Sequence, residues 1–218
     1  RTTQTSCSSN QRSDIIETLI VVDNPKSWTI TIPGVTIVSA QDYLREEKYI
    51  RPRRIRIFNL CKSYKYQSFG YYVSLLGEAR GHKPVPTIST IQDFKSGTII
   101  RFASEELESI LQKSLSHLQS DSFTLSIYFG KNVTEKYNRL SHSLFKHFHA
   151  PLMRAQFVKS KGKWIMQNID PISTTDVDEE HWQLVIEAAQ EYFSGKRTGE
   201  AKEKISRYDL AILHDPEG

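Results

Sequence analysis

Arg54–Gly81 reads RIRIFNLCKSYKYQSFGYYVSLLGEARG, and this stretch decides the fold. The basic entry leads into apolar positions, so residues 53–60 are predicted as a strand. A polar loop follows, and a helix runs from Ser68 to a stop at Gly81, a residue suited to the left-handed position after a helix end. Within the helix, Phe69, Tyr72 or Val73, Leu76 and Ala79 recur three and four apart, which predicts one buried stripe with Glu78 and Arg80 off it. The next β-rich stretch, KPVPTIS at 83–89, closes a βαβ unit at about 53–89. Such a crossover within one sheet is nearly always right-handed. The predicted class is therefore α/β (α+β), a mixed sheet with flanking helices.

The same reading extends in both directions. Upstream, IIETLIVV ends in the turn signal Asn24-Pro25, WTITIP reads as a second strand, and VTIVS as a third. Pro33-Gly34 separates the last two too tightly for a helix, which predicts a hairpin, and Ala40–Lys48 reads as a short helix. Downstream, Ser104 is placed to cap the helix EELESILQKSLSHLQ, and FTLSIYFG reads as a strand. Residues 134–149 read as a helix ended before Pro151, AQFVKSKGKWIMQNI as a hairpin turning on Ser160 to Gly162, and 178–193 as a last helix stopping at Gly195. GKRTGEAKEK is a charged linker before YDLAIL, a fresh strand where the sequence stops.

A length of 218 residues with 38% hydrophobic positions allows one large domain or two small ones with a real core. The 29 basic and 25 acidic residues leave a net charge of only +4. That is short of the imbalance of a dedicated nucleic-acid binder. No apolar run approaches the roughly 20 residues that span a bilayer, so no membrane contact is expected. Two cysteines, Cys7 and Cys61, make no dense disulfide framework and point to a reducing, cytoplasmic compartment.

The loop Lys62, Ser63, Tyr64, Lys65, Tyr66, Gln67 and Ser68 lies between a strand's C-terminal end and a helix N-terminus, where open α/β sheets bind ligands. Unpaired first-turn N–H groups, two lysines and two serine hydroxyls suit a phosphate or carboxylate. The plainer alternative makes Ser68 an N-cap, the lysines solvated and the tyrosines packing groups, since no glycine-rich phosphate fingerprint is present. On the helix at 134–149, Arg139, His142, Lys146 and His149 form a basic stripe opposite Tyr137, Leu140, Leu144 and Phe148. It suits an acidic partner or polyanion, and equally an ordinary solvated face. His142, His147 and His149 do not have the spacing of a helical metal pair, so no metal site is expected. Cys61 or Ser68 could serve a stand-alone hydrolase or transferase only with a distant histidine, and no GxSxG elbow supports this; no catalytic residue is assigned.

The run NLCKSYKYQSFGYYVSLLGEARGHKPVPTISTIQDF resembles the RLAN family, the domain N-terminal to RimK-like ATP-grasp ligases. The likeness is carried by Asn59, Leu60, Ser63, Tyr64, Tyr66, Gln67, Ser68, Gly70, Tyr71, Tyr72, Glu78, Arg80, Gly81, Gln92 and Asp93. Residues 1–13, which lie outside the likeness and lack an apolar core, read as a flexible tail, while the resemblance implies an RLAN-like α/β domain at 14–204 and the truncated start of a pre-ATP-grasp region at 205–218. It also implies an accessory domain of an amide-forming peptide ligase, positioning substrate or docking a partner in peptide synthesis or modification. The parent enzymes activate a carboxylate as an acyl phosphate, so ATP and Mg²⁺ are implied for the missing ligase domain and no cofactor for this chain. The implied partners are that C-terminal ATP-grasp domain in cis and an acidic peptide or amino-acid substrate, with nucleic acid disfavoured.

Overall fold

The apolar runs on either side of the chain's first helices, Glu17–Val22 and Ile55–Asn59, lie side by side at the centre of a parallel sheet. A computed structural model describes residues 17–28, 31–50 and 54–194. In chain order its first half comprises β1 (Glu17–Val22), β2 (Val35–Ser39), α1 (Ala40–Arg45), α2 (Glu47–Ile50), β3 (Ile55–Asn59), α3 (Phe69–Ala79) and β4 (Lys83–Val85). The four strands are ordered β2-β1-β3-β4, all parallel. Both faces are covered, as an all-parallel sheet requires. Leu19, Val21, Ile55 and Ile57 pack with Tyr43 and Val73 on one side. Ile20, Val22, Phe58 and Leu60 pack with Val185, Ala188 and Ala189 on the other.

The connections change direction at β1. From β1 the chain moves outward to the edge strand β2, then returns past β1 to β3 and continues to β4. Right-handed crossovers in opposite directions lie on opposite faces. Accordingly Ile32, before β2, joins the cluster that holds Val185 and Ala188, while α1 and α3 share the other face. The C-terminal ends of β1 and β3 thus diverge at a topological switch point, where open α/β sheets leave a crevice.

The second half comprises α4 (Ile88–Asp93), α5 (Gly97–Glu106), α6 (Glu108–Leu115), β5 (Ser122–Tyr128), α7 (Asn138–Phe148), β6 (Leu152–Ser160), β7 (Lys163–Pro171) and α8 (Trp182–Phe193). Its strands form a separate antiparallel sheet, β5-β6-β7. One face buries Leu125, Ile127, Met153, Ala155, Phe157 and Trp164 against α5, α6 and α7. The β7 edge is shielded by side chains: Gln112 bonds both Trp164 N (3.0 Å) and Trp164 O (2.7 Å), and Ser104 Oγ accepts from Met166 N (3.0 Å). Capping main-chain groups this way removes a template for edge pairing. From α8, Phe193 and Tyr192 meet Phe58 at ring centroid separations of 4.5 and 5.6 Å, joining the halves.

The α/β class, the βαβ unit, the Ser68 start and the Gly81 stop (φ +75°) are all present. The hairpin on 160–162 is present too, with Lys161 and Gly162 both at positive φ. Four local expectations are corrected. The strand at 28–33 falls partly on residues 29 and 30, outside the described set; 33 and 34 form a turn closed by the Val35 N–H on Ile32 O (3.2 Å), and β2 pairs parallel with β1 rather than in a hairpin. The helix at 40–48 breaks at Glu46, which has extended backbone, into α1 and α2. Ser104 is buried inside α5, because Ser96 caps that helix eight residues earlier. In α3 the buried face is Gly70, Val73, Ser74 and Gly77, while Phe69 is 51% exposed. Small residues take that face because the helix lies close on β3, where Gly77 already approaches Ile57 and Pro84. Gly195, the 1–13 tail and the 205–218 strand lie outside the described residues.

Candidate ligand-binding cleft

Asn59, at the end of β3 and fully buried, organises the crevice. Its side-chain amide donates to Gly70 O (2.7 Å) and Ser74 Oγ (2.9 Å), and its Oδ1 accepts from Cys61 N (3.3 Å). Ser74 Oγ passes a hydrogen bond on to Pro86 O (2.7 Å). The end of β3, the first turns of α3 and the turn after β4 are thereby held as one polar network inside the core, where each unmade bond costs more than in water. Tyr64 is buried below the loop, its hydroxyl donating to Asn59 O (2.5 Å).

Above this floor the loop folds on itself. Ser68 caps α3, accepting from Tyr71 N (3.3 Å) while its hydroxyl donates to Ser63 O (2.7 Å). Ser63 Oγ accepts from Lys65 N (3.2 Å), and Gln67 takes a left-handed φ of 68°. The loop is tied to the neighbouring strand end: Lys62 N donates to Asp23 Oδ2 (2.5 Å), directly after β1. Farther along α3, Arg80 donates to Tyr43 O (2.9 Å) and Leu44 O (3.0 Å), fixing the end of α1. Glu78 Oε1 accepts from Ile88 N (3.2 Å) at the start of α4.

A cleft of about 310 Å³ results, lined by Asp23, Leu44, Lys62, Ser63, Gln67, Ser68, Phe69 and Tyr72. Four of the seven loop residues singled out in the sequence, Lys62, Ser63, Gln67 and Ser68, thus share one wall. Tyr64 lies beneath them, and Lys65 and Tyr66 stand exposed outside the lining, with Tyr66 against the Tyr71 ring at 5.5 Å. Asp23, Leu44, Phe69 and Tyr72 were not foreseen. Asp23 carries a readable signal, since it directly follows the apolar run that ends β1, but only the parallel pairing of β1 with β3 brings it to the loop.

The basic stripe belongs to the other sheet. Arg139, His142 and Lys146 are exposed on α7, opposite the buried Leu140, Leu144, Phe145 and Phe148, and His149 is exposed just past the helix end as its left-handed cap (φ 40°). None of them lines the cleft. His147 instead meets Glu106 (3.3 Å), and His149 meets the Tyr192 hydroxyl (3.3 Å). Among the described residues no three His, Cys, Asp or Glu side chains converge as a metal site, and no helix is long and apolar enough to cross a membrane.

Cys61 has no exposed surface, and its thiol donates to Val21 O (3.8 Å). Burial first, and the nearby Asp23 charge second, hold the thiol far above its ordinary ionisation range. Burial likewise pushes Tyr43 up to about 12 and Tyr64 well up. In the Cys7→Ser chain, Cys61 should therefore resist iodoacetamide through pH 9 and label readily in urea; fast native labelling near neutrality would show an activated thiol. Because these folded-state values are raised, the associated stability is complete below the unfolded values, about 8.5 for Cys and 10 for Tyr. It is lost as pH rises past them, so the urea midpoint should fall above about pH 9.

A family model described as the RimK-like ATP-grasp N-terminal domain matches residues 40–188. Among solved structures, the chain is similar to D-alanine–D-alanine ligase from Bacillus anthracis complexed with ATP, at 10% identity and a TM-score of 0.40. That match covers 72% of this chain and 86% of the other. It is also similar to the macrocyclase MdnB from Microcystis aeruginosa MRC, at 7% identity and a TM-score of 0.39, covering 81% of this chain and 98% of that one. No curated protein sequence matches.

Proposed function

The chain belongs to the RimK-like ATP-grasp N-terminal domain family, and from that premise we propose that it is the accessory domain of an ATP-dependent carboxylate–amine ligase. In this reading it holds a substrate's carboxylate at Lys62–Ser68, while an ATP-grasp domain farther along the same protein performs the chemistry. The single observation that carries the reading is the cleft at the switch point, where Lys62, Ser63, Gln67 and Ser68 share one wall at a strand end. Binding energy spent at a site away from the reacting atoms can orient a substrate for ligation. ATP and Mg²⁺ are proposed for the ligase domain and not for this one, and the setting is taken to be peptide synthesis or modification in the cytoplasm.

Isothermal titration with a short acidic peptide tests the reading. Wild type should bind, and Lys62→Ala/Lys65→Ala should bind about tenfold more weakly, as expected when charged partners of an anion are removed. Equal heats in both proteins would remove the loop from the account.

A further inference from the structure

We infer that the cleft takes the paired amino and carboxyl groups of one small apolar amino acid, rather than a lone anion. The inference rests on the reading of Lys62–Ser68 as a carboxylate site and adds what the opposite wall selects. Asp23 puts a carboxylate into the same cleft as Lys62, and its Oδ2 is fixed by the Lys62 N–H at 2.5 Å, so it is anchored at that wall when a ligand enters. A bare anion binds there against the Asp23 charge and so more weakly, whereas a ligand with an ammonium beside its carboxylate satisfies both signs of charge.

Size and lining give the rest. At about 310 Å³ the cleft stands at the small end of ligand sites, room for a single residue, so a peptide would enter it by one residue only. Leu44, Phe69 and Tyr72 form its apolar side. Leu44 is held in place through the Arg80 bond to its carbonyl, so that wall is a fixed surface for an aliphatic side chain. Gln67 offers a donor and an acceptor and can serve either end of the ligand.

Titrations of the full 218-residue chain, followed by backbone amide NMR, would use L-leucine, N-acetyl-L-leucine and L-leucinamide. Leucine should bind with shifts at Lys62–Tyr72, and each blocked form should bind about tenfold more weakly. Asp23→Asn, whose amide oxygen still accepts the Lys62 N–H, should weaken leucine by a similar factor and, by relieving the repulsion, tighten N-acetyl-leucine. Equal affinity for leucine and N-acetyl-leucine, a silent Asp23→Asn, or no binding of leucine would overturn the inference. If the acidic peptide still distinguishes wild type from Lys62→Ala/Lys65→Ala, the carboxylate site survives that outcome; if that difference is also missing, both fall.

Discussion

Gly70→Ala should lower the stability of the chain by about 3 kcal/mol, the upper end of overpacking costs. A Cβ at this position would stand 2.4 Å from Ser63 O and 2.9 Å from Cys61 Cβ. The first is main chain, held by the Ser68 hydroxyl, and the second belongs to a fully buried residue, so neither can swing aside. The gain of about 1 kcal/mol from replacing a helical glycine by alanine is too small to offset this. Thermal unfolding should register a drop of roughly 6–12 °C for a chain of this size. Gly77→Ala is the internal control: its nearest contacts are side-chain atoms at 3.3 and 3.4 Å, and a much smaller shift is expected. Equal behaviour of the two variants would show that the approach of α3 to the loop is looser than described.

Asn59→Ala should be comparably damaging, at about 3 kcal/mol. It strands the Cys61 N–H in the core, takes the second donor from Gly70 O, whose helical partner Ser74 N remains, and removes one partner of the Ser74 hydroxyl, which keeps its bond to Pro86. Asn59→Asp separates hydrogen bonding from size. A carboxylate cannot donate to Gly70 O, so this variant should be as unstable as alanine at pH 7 and measurably better near pH 4, where a protonated carboxyl supplies one O–H donor. The sign follows from linkage: the buried acid has a raised pKa, so its stability is present at low pH and lost as pH rises. Urea midpoints at the two pH values read the effect directly, and an Asp variant as stable as wild type at pH 7 would contradict the network.

The alternation of apolar residues in Ile55–Leu60, the Ser68 cap and the Gly81 stop were legible because each is a local signal with a local cause. The face of α3 was not. Periodicity marks the larger residues Phe69 and Leu76, whereas a helix pressed onto a parallel strand buries whatever is small enough to fit, here Gly70, Ser74 and Gly77. The same limit explains the cleft. Its loop wall is contiguous in sequence and could be read, but Asp23 and Leu44 arrive from β1 and α1 through strand order and the Arg80 tie, which no spacing encodes. Lys65 and Tyr66 share the loop's composition yet stand outside the lining, because the left-handed turn at Gln67 and the Ser63–Ser68 bonds curl the chain back upon itself. Arg139, His142 and Lys146 lie on the exposed face of α7 and His149 caps its end; their separation from the cleft follows from the second sheet, which no spacing in the sequence encodes.

Amide chemical-shift mapping during titration with a short acidic peptide decides whether an anionic ligand binds at Lys62–Ser68. Saturable shifts should concentrate at Asp23 and from Cys61 to Tyr72, with α7 silent. Shifts centred on Arg139, His142, Lys146 and His149, or no saturable shift at all, would contradict binding there.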